Sequence, residues 1–567
     1  MTVIATAGHV DHGKSALVHA LTGMEPDRWE AERRRGLTID LGYAWTTLPD
    51  GRTVAFVDVP GHRRFIGNML SGIGPAAAVL LVVSADDGWS AQSTEHLRAV
   101  HALRLRHGVL AVTRADLADP GPTLAQAREQ LSGTSLEGIP AVAVSARTGH
   151  GLDRLRELLG ACCSALPTPA ADAPVRLWID RAFTVHGAGT VVTGTLPAGA
   201  VEVGMPLLLT SAGDAGPREV VVRGIHSLGR PEQRVEGAAR VAVNLRGVDP
   251  DQVGRGQALL APDHPWWLTG SSDVLLDADA LPAEVTAHVG TAARPARLRT
   301  LEGRWARLRT DRPVPLGVGD RLILRDPGRE GAVVGARVLD PVAPPLRRNG
   351  AARRRAAALQ ASDDRHGVAV AGRTVSRATA EAWVEELSAL VRRRAQTDPL
   401  DPRLPLAPAL RDLGRRTGLP DRRTLEAVVA MAGLEVRDER VGPARAAGSV
   451  PEPGEPPALR ALLDRLARDP LDAPTRPELD AMGIGGREIA AASGRGALLR
   501  LPGDVLLGPE AADRAVDALT DLAQPFTTSQ ARATLGVSRK VAIALLEHLD
   551  ARGHTRHGPD GTRSLTT

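Results

Sequence analysis

The sequence predicts a multidomain chain in three zones: an α/β domain, two small β-barrels, and a terminal series of α+β modules. Three observations predict it. A length of 567 residues, at roughly 100–200 residues per domain, calls for about three to five domains. Residues 1–168 alternate short β-branched runs with amphipathic helical stretches, the mark of a parallel sheet covered by helices. That helical period vanishes between residues 175 and 345 and returns after residue 347.

In the first zone the runs Val3–Ala7, Val54–Val59, Val79–Ser84, Val109–Thr113 and Ala141–Ser145 are the expected strands. Leu166–Pro174 (LPTPAADAP) breaks both periods and is expected to be a linker. In the second zone Thr190–Thr195, Val220–Ile225, Val241–Leu245, Glu284–Val289 and Asp320–Leu324 alternate in hydropathy between Gly and Pro turns. Short strands at that spacing suit small barrels, and the length suits two, at 175–262 and 263–345. Residues 347–567 are Arg/Ala/Leu/Asp stretches with helical spacing, cut by breaks such as Val450–Pro457 (VPEPGEPP), and read as tandem modules.

Composition limits the function classes. Apolar residues at 43% and charged residues at 24% fit a globular protein and argue against disorder over most of the length. The longest apolar run, Pro75–Ala85, is about half of the ~20 residues a membrane helix needs, so no membrane is expected. MTVIATAGHVDHGKS reads as no secretory signal, and the adjacent Cys162 and Cys163 cannot frame disulfides, so a cytoplasmic setting is expected. No cysteine or histidine spacing suggests structural zinc. Basic residues number 70 against 66 carboxylates, a net charge of +4, yet only Lys14 and Lys540 are lysines.

Lys14 falls in the first motif. Gly8, His9, Val10, Asp11, His12, Gly13, Lys14 and Ser15 match GxxxxGK[ST] between an expected strand and a helix starting near Ser15. Glycines let backbone N–H groups close around phosphate oxygens, and the helix N-terminus adds its positive end. Lys14 is placed to reach β- and γ-phosphates, where a compact ammonium fits and a wide guanidinium does not. Ser15 is placed to ligate Mg²⁺. Four segments follow in the order that GTP binding requires. Thr38, in Arg35-Gly36-Leu37-Thr38-Ile39-Asp40, offers Mg²⁺ a second hydroxyl, and Asp58 can hold the metal through water. Gly61 offers its N–H to the γ-phosphate; Asp116, in Thr113-Arg114-Ala115-Asp116, can accept the guanine N1–H and N2–H; Ser145-Ala146 offers a backbone N–H to guanine O6. GTP/GDP and Mg²⁺ are therefore the expected cofactors.

GHVDHGKS, DVPGH and the Ser145-Ala146 pair resemble the translational GTPases of the elongation-factor class, in which a G domain precedes two small barrels. The resemblance implies that His62, after Asp58-Val59-Pro60-Gly61, orients the attacking water when the ribosome positions it. One departure stands out. The family's base-reading motif is Asn-Lys-x-Asp, and Thr113 is a shorter partner than Asn for tying this loop to the phosphate loop. Loose nucleotide binding and fast GDP release are expected, with the stem of Arg114 lying over the base.

The segment Asp180–Thr195 (DRAFTVHGAGTVVTGT), with Val221-Arg223-Gly224-Ile225-His226 and Arg325-Asp326-Pro327, resembles most the selenocysteine-specific elongation factors. That resemblance implies an aminoacyl pocket of cationic groups and one carboxylate, at Asp180, Arg181 and Arg240. A selenol is ionised at neutral pH and serine's hydroxyl is not, so positive charge can separate the two aminoacyl groups.

The clearest terminal module lies within 513–567. Thr528–Leu535 and a helix from Ser538, stopped by Gly553, followed by a hairpin with its tip at Pro559-Asp560-Gly561, make a winged helix. Residues 526–567 hold six Arg/Lys against three Asp/Glu, a basic patch from which Arg539, Lys540, Arg556 and Arg563 are the expected phosphate contacts. The resemblance implies that this arm grips an mRNA hairpin.

The fold class expected is an α/β P-loop GTPase domain, two small β-barrels and C-terminal α+β winged-helix modules. The expected function is GTP-dependent delivery of selenocysteyl-tRNA to the ribosome, as a monomer. Two alternatives stay open: a general aminoacyl-tRNA carrier or initiation-type GTPase, and a non-hydrolysing GTP-bound RNA adaptor.

Overall fold

The computed structural model describes residues 1–26, 38, 40–187, 189–211, 216–279, 281–329, 332–347, 349–362, 367–398, 402–443, 456–494, 496–558 and 560–566. Arg35, Gly36, Leu37, Ile39 and Pro559, and most of Val450–Pro457, lie outside these residues. The chain forms two compact units, residues 1–383 with 414–427, and residues 384–413 with 428–567.

The first unit opens with a six-stranded sheet built from β1 (Thr2–Ala7), β2 (Gly42–Thr47), β3 (Thr53–Asp58), β4 (Ala78–Ser84), β5 (Gly108–Thr113) and β6 (Ala141–Ala143). Their order is β2-β3-β1-β4-β5-β6, and all neighbours are parallel except β2 and β3. Successive residues of each central strand bury on opposite faces: Val3, Ala5 and Ala7 enter one apolar cluster, and Ile4 enters the other. Burial on both faces explains why these strands read as continuous apolar runs. Cys162 and Cys163 pack into the second cluster from helix Leu152–Ala165. The C-terminal strand ends gather the loops after β1, β3, β4, β5 and β6 on one edge, where an open α/β sheet binds ligands.

Two β structures follow in the same unit. In the first, strands Arg176–Val185, Gly189–Leu196, Ala239–Arg246, Arg218–Ser227, Pro206–Leu209 and Ala258–Leu260 pair antiparallel and return on themselves around Ile179, Val192, Val222 and Val243. The second is a closed barrel between Trp267 and Asp340, cored by Val274, Ala287, Leu308 and Leu322.

In the second unit, strands Leu404–Pro405, Arg440–Pro443 and Leu434–Arg437 form a three-stranded sheet. Helices Pro457–Arg468, Arg476–Ala481 and Gly486–Gly494 then precede a hairpin, Leu499–Leu501 with Val505–Leu507. The final module places helices Thr528–Leu535 and Arg539–Ala551 against strands Phe526–Thr527, Thr562–Leu565 and Thr555–His557. Local chemistry sets its helix ends. Thr527 and Gln530 form a capping box, Gly536 ends the first helix in the left-handed region, and Ser538 caps the second through Val541 N–H. The expected stripe of Val541, Ala542, Leu545, Leu546 and Leu549 is buried, and Val541, Leu545 and Leu549 share a core with Leu501, Val505 and Leu507 of the preceding hairpin.

Candidate functional site: phosphate loop, arginine cluster and terminal winged helix

The phosphate loop runs from Gly8 to Gly13 between β1 and helix α1 (Lys14–Thr22). Gly8 has φ +141°, and a Cβ there would lie 2.1 Å from the Val82 carbonyl oxygen, so only glycine lets the loop pass this close to β4. Lys14 is buried, and its ammonium donates to the carbonyls of His9 (2.7 Å) and Gly8 (3.2 Å). The three residues expected at the metal converge. Ser15 Oγ donates to Asp58 Oδ2 at 2.6 Å and lies 3.1 Å from Thr38 Oγ1. Asp58 is fully buried and also accepts from Thr6 Oγ1 at 2.7 Å; burial pushes its carboxyl above the usual range. Two hydroxyls backed by a carboxylate form the hard oxygen set that suits Mg²⁺.

Gly61 brings the loop after β3 against the phosphate loop: a Cβ on it would lie 2.4 Å from Val10 N and 2.7 Å from Lys14 Nζ. His62 follows as an exposed residue whose Nδ1 accepts the Arg64 N–H at 3.2 Å. On the base side, Thr113 Oγ1 donates to the His12 carbonyl at 2.7 Å. The shorter threonine therefore still ties the two loops. Arg114 adds a second tie, from Nη2 to the Asp11 carbonyl at 2.6 Å, while Nη1 bonds Asp86 at 2.9 Å. Asp116 pairs with Arg147 at 2.8 Å, and a hydrogen bond from Ser145, then that from Arg147, hold its carboxyl below the usual range. Ser145 is buried and accepts the Thr148 N–H at 3.1 Å, with Ala146 next in the turn.

Sequence reasoning missed the braces behind the loop. His96, on helix Ala91–Ala102, is buried, and its Nδ1 accepts the Gly8 N–H at 2.9 Å. Burial, aided by the Lys14 charge, pushes His96 down to about 3, so the ring is neutral and can accept. Gln92 meets His9 Nδ1, and His12 Nε2 lies 2.8 Å from Asp87. These bonds join residues 75 to 88 positions apart, and no local pattern announces them.

Asp180, Arg181 and Arg240 lie close together, in a largely satisfied arrangement. Asp180 is buried on strand Arg176–Val185 and accepts from Thr193 Oγ1 (2.8 Å) and Arg240 Nη2 (2.7 Å). Arg240 lies 3.8 Å from the Tyr43 ring centroid, a cation–π contact with β2. Arg181 donates to Asp40 Oδ2 at 2.9 Å and to the Leu41 carbonyl at 3.1 Å. Arg181 and Arg240 line a cavity of about 210 Å³ with Tyr43, Trp45, Phe183 and His226.

In the terminal module Arg539, Lys540 and Arg556 are exposed. Arg563 corrects the expectation. Its side chain is only 9% exposed, donates to Asp550 at 2.8 Å and to Thr528 Oγ1 at 3.2 Å, and so braces the hairpin on both helices of the module. Lys540 lays its stem against Gly503, in the turn of the preceding hairpin.

Comparison with known proteins fits these features. Residues 1–168 match the elongation factor Tu GTP-binding domain, residues 279–345 the β-barrel domain of selenocysteine-specific elongation factor, and residues 517–563 a winged helix of elongation factor SelB. The selenocysteine-specific elongation factor of Escherichia coli (strain K12) is 40% identical over 345 residues, covering 59% of this chain and 55% of that protein. The chain belongs to the translational elongation factors, and its second barrel and terminal winged helix are similar to those of the selenocysteine-specific type. The Desulfomicrobium baculatum member is 35% identical over 364 residues, covering 61% of this chain and 57% of that protein. Thus the chain spans about half the length of the curated relatives it matches. Elongation factor Tu 2 of Streptomyces avermitilis is 34% identical over 284 residues, covering 46% of this chain and 72% of that protein. In fold, the chain is similar over its whole length to a bacterial selenocysteine-specific elongation factor, EF-Sec, with a TM-score of 0.67 at 23% identity and 100% of both chains covered.

Proposed function

We propose that this chain is a GTPase that delivers selenocysteyl-tRNA to the ribosome at UGA codons, while its terminal winged helix holds an mRNA hairpin. The observation that carries the reading is the convergence of Ser15, Thr38, Asp58 and Gly61 on one phosphate loop, in a chain that also carries a SelB-type winged helix. The cytoplasm is the proposed compartment and a monomer the proposed state; among the described residues no helix is long and apolar enough to cross a membrane.

In this reading Gly8–Ser15 cradles the phosphates, Lys14 neutralises charge developing on the γ-phosphoryl oxygens, and the Gly61 N–H touches the same group. Ser15 and Thr38 would hold Mg²⁺ directly, and Asp58 would hold it through water. An ion held there would supply positive charge to offset that on the phosphate oxygens. His62, exposed beside Gly61, orients the attacking water once the ribosome positions its ring. Asp116 and the Ser145-Ala146 turn read guanine. Arg181 and Arg240 supply positive charge beside the cavity for an ionised selenol.

The test measures GTP hydrolysis by the full chain with and without ribosomes, and its binding of selenocysteyl-tRNA against seryl-tRNA. Ribosome-stimulated hydrolysis that falls by at least about a hundredfold in His62→Ala, with preference for selenocysteyl-tRNA, is expected. Equal binding of the two aminoacyl-tRNAs would make the chain a general carrier, and unstimulated hydrolysis would leave His62 without a role.

A further inference from the structure

We propose that Arg255 is a positioning residue that passes the state of the nucleotide site to the aminoacyl cavity, with Asp40 as its counter-charge. The proposal rests on the reading of that cavity given above. One guanidinium touches three segments. Its Nη2 donates to Asp40 Oδ1 at 2.5 Å, its Nη1 bonds Asn68 Oδ1, and its Nε donates to the Asp180 carbonyl at 2.9 Å. Asp40 follows Thr38 by two residues, and Thr38 carries the hydroxyl 3.1 Å from Ser15 Oγ. Asn68 lies on helix Ile66–Ile73, which directly follows the Gly61-His62 loop. Asp180 is the carboxylate that holds Arg240. Arg255 therefore bridges both segments expected to sense the γ-phosphate and the base of the aminoacyl cluster.

Chain geometry makes the bridge sensitive. Two residues span at most about 7 Å, so a displacement of Thr38 from Ser15 beyond that reach would carry Asp40 with it. Asp40 is also the carboxylate that pins Arg181, whose guanidinium lines the cavity. The Arg181, Asp40 and Arg255 side chains are 18%, 23% and 30% exposed, sheltered enough for their attraction to outlast screening by salt. With Asp40 engaged, Arg181 presents a fixed donor edge to an aminoacyl group. With Asp40 withdrawn, the ligand must itself order that side chain, which weakens binding.

The experiment uses the full chain and measures selenocysteyl-tRNA affinity with a non-hydrolysable GTP analogue and with GDP, for wild type, Asp40→Asn, Arg255→Gln and the double variant. Wild type is expected to favour the GTP-analogue form by at least about fivefold. Each single variant should reduce that ratio to about twofold or less while binding both nucleotides as wild type does, and the double variant should be no worse than either single one. A full ratio in Arg255→Gln, additive losses in the double variant, or lost nucleotide binding in Arg255→Gln would each overturn the proposal. A wild-type chain with no selenocysteyl-tRNA preference would instead overturn the functional reading on which it rests.

Discussion

His96 shows how one buried base can fix a backbone. Its ring is held at about 3 by burial and accepts the Gly8 N–H, so its neutral form belongs to the native state. The unfolded chain carries an ordinary histidine near 6.5 and binds a proton that the native chain refuses. Stability is therefore full above about pH 6.5 and falls as pH drops from there toward 3. Between about pH 6 and 4.5 wild type should lose roughly 1.4 kcal/mol per pH unit relative to His96→Gln, which keeps an acceptor but has no proton to gain. Urea denaturation across that range checks the slope, and equal slopes would refute it. At pH 7.5 His96→Leu should instead cost about 1–3 kcal/mol, because the Gly8 N–H loses its partner. A second residue-scale prediction concerns Thr113. Its hydroxyl reaches the His12 carbonyl and Arg114 reaches that of Asp11, so these ties oppose the fast GDP release expected from the missing asparagine. Thr113→Val removes one neutral hydrogen bond and should speed release of a fluorescent GDP analogue by about two- to tenfold in stopped flow. An unchanged rate would show that the Arg114 tie suffices.

At the scale of elements, the terminal module separates a bracing arginine from exposed basic residues. Arg563 is sequestered between Asp550 and Thr528, whereas Arg539, Lys540 and Arg556 are exposed. Arg563→Ala should therefore lower the stability of the module, by about 1–3 kcal/mol, since Asp550 loses its charged partner. Arg539→Ala and Arg556→Ala should leave the melting temperature unchanged and weaken hairpin RNA binding, each reducing the salt slope by about one. Paired thermal melts and filter binding over a salt series separate these outcomes. The residue that sequence reasoning misassigned is thus a strand residue whose neighbours come from two other elements, and a charge count along 526–567 carries no information about them. The central strands of the first sheet were legible because both their faces are buried, which leaves uninterrupted apolar runs. Strand Gly42–Thr47 was not, because it sits antiparallel at the sheet edge and only two of its six residues are fully buried. The nucleotide loop was legible because phosphate chemistry demands contiguous residue types. Its braces, Asp87, Gln92 and His96, act across long sequence separations on the Gly8 backbone and the His9 and His12 rings, which no local pattern links to them.

At the scale of the first unit, a buried charge network fastens the helix that follows the barrels. Arg355, on helix Ala351–Ala361, donates to Asp273 Oδ2 at 2.7 Å and also bonds Asp340, both on barrel strands. Arg307 bonds Asp273 at 2.8 Å and the Pro344 carbonyl at 2.5 Å, and Ser376 Oγ donates to Asp340 at 2.6 Å. Both carboxylates are fully buried, and Arg307 and Arg355 are nearly so. Burying such charges is costly, so the network is expected to add geometric definition more than net stability. Its sensitivity should be asymmetric. Arg355→Ala strands Asp340 with hydroxyl and amide donors alone and should cost about 3–5 kcal/mol, whereas Arg355→Met combined with Asp340→Asn should recover most of that loss. Chemical denaturation measures the energies, and amide exchange of residues 351–361 reports whether the helix itself loosens. If the helix stays protected in Arg355→Ala while stability falls, the network stabilises the barrel alone. If both fall together and the double variant restores both, the ion cluster is what makes the barrel and the first helix after it one rigid element.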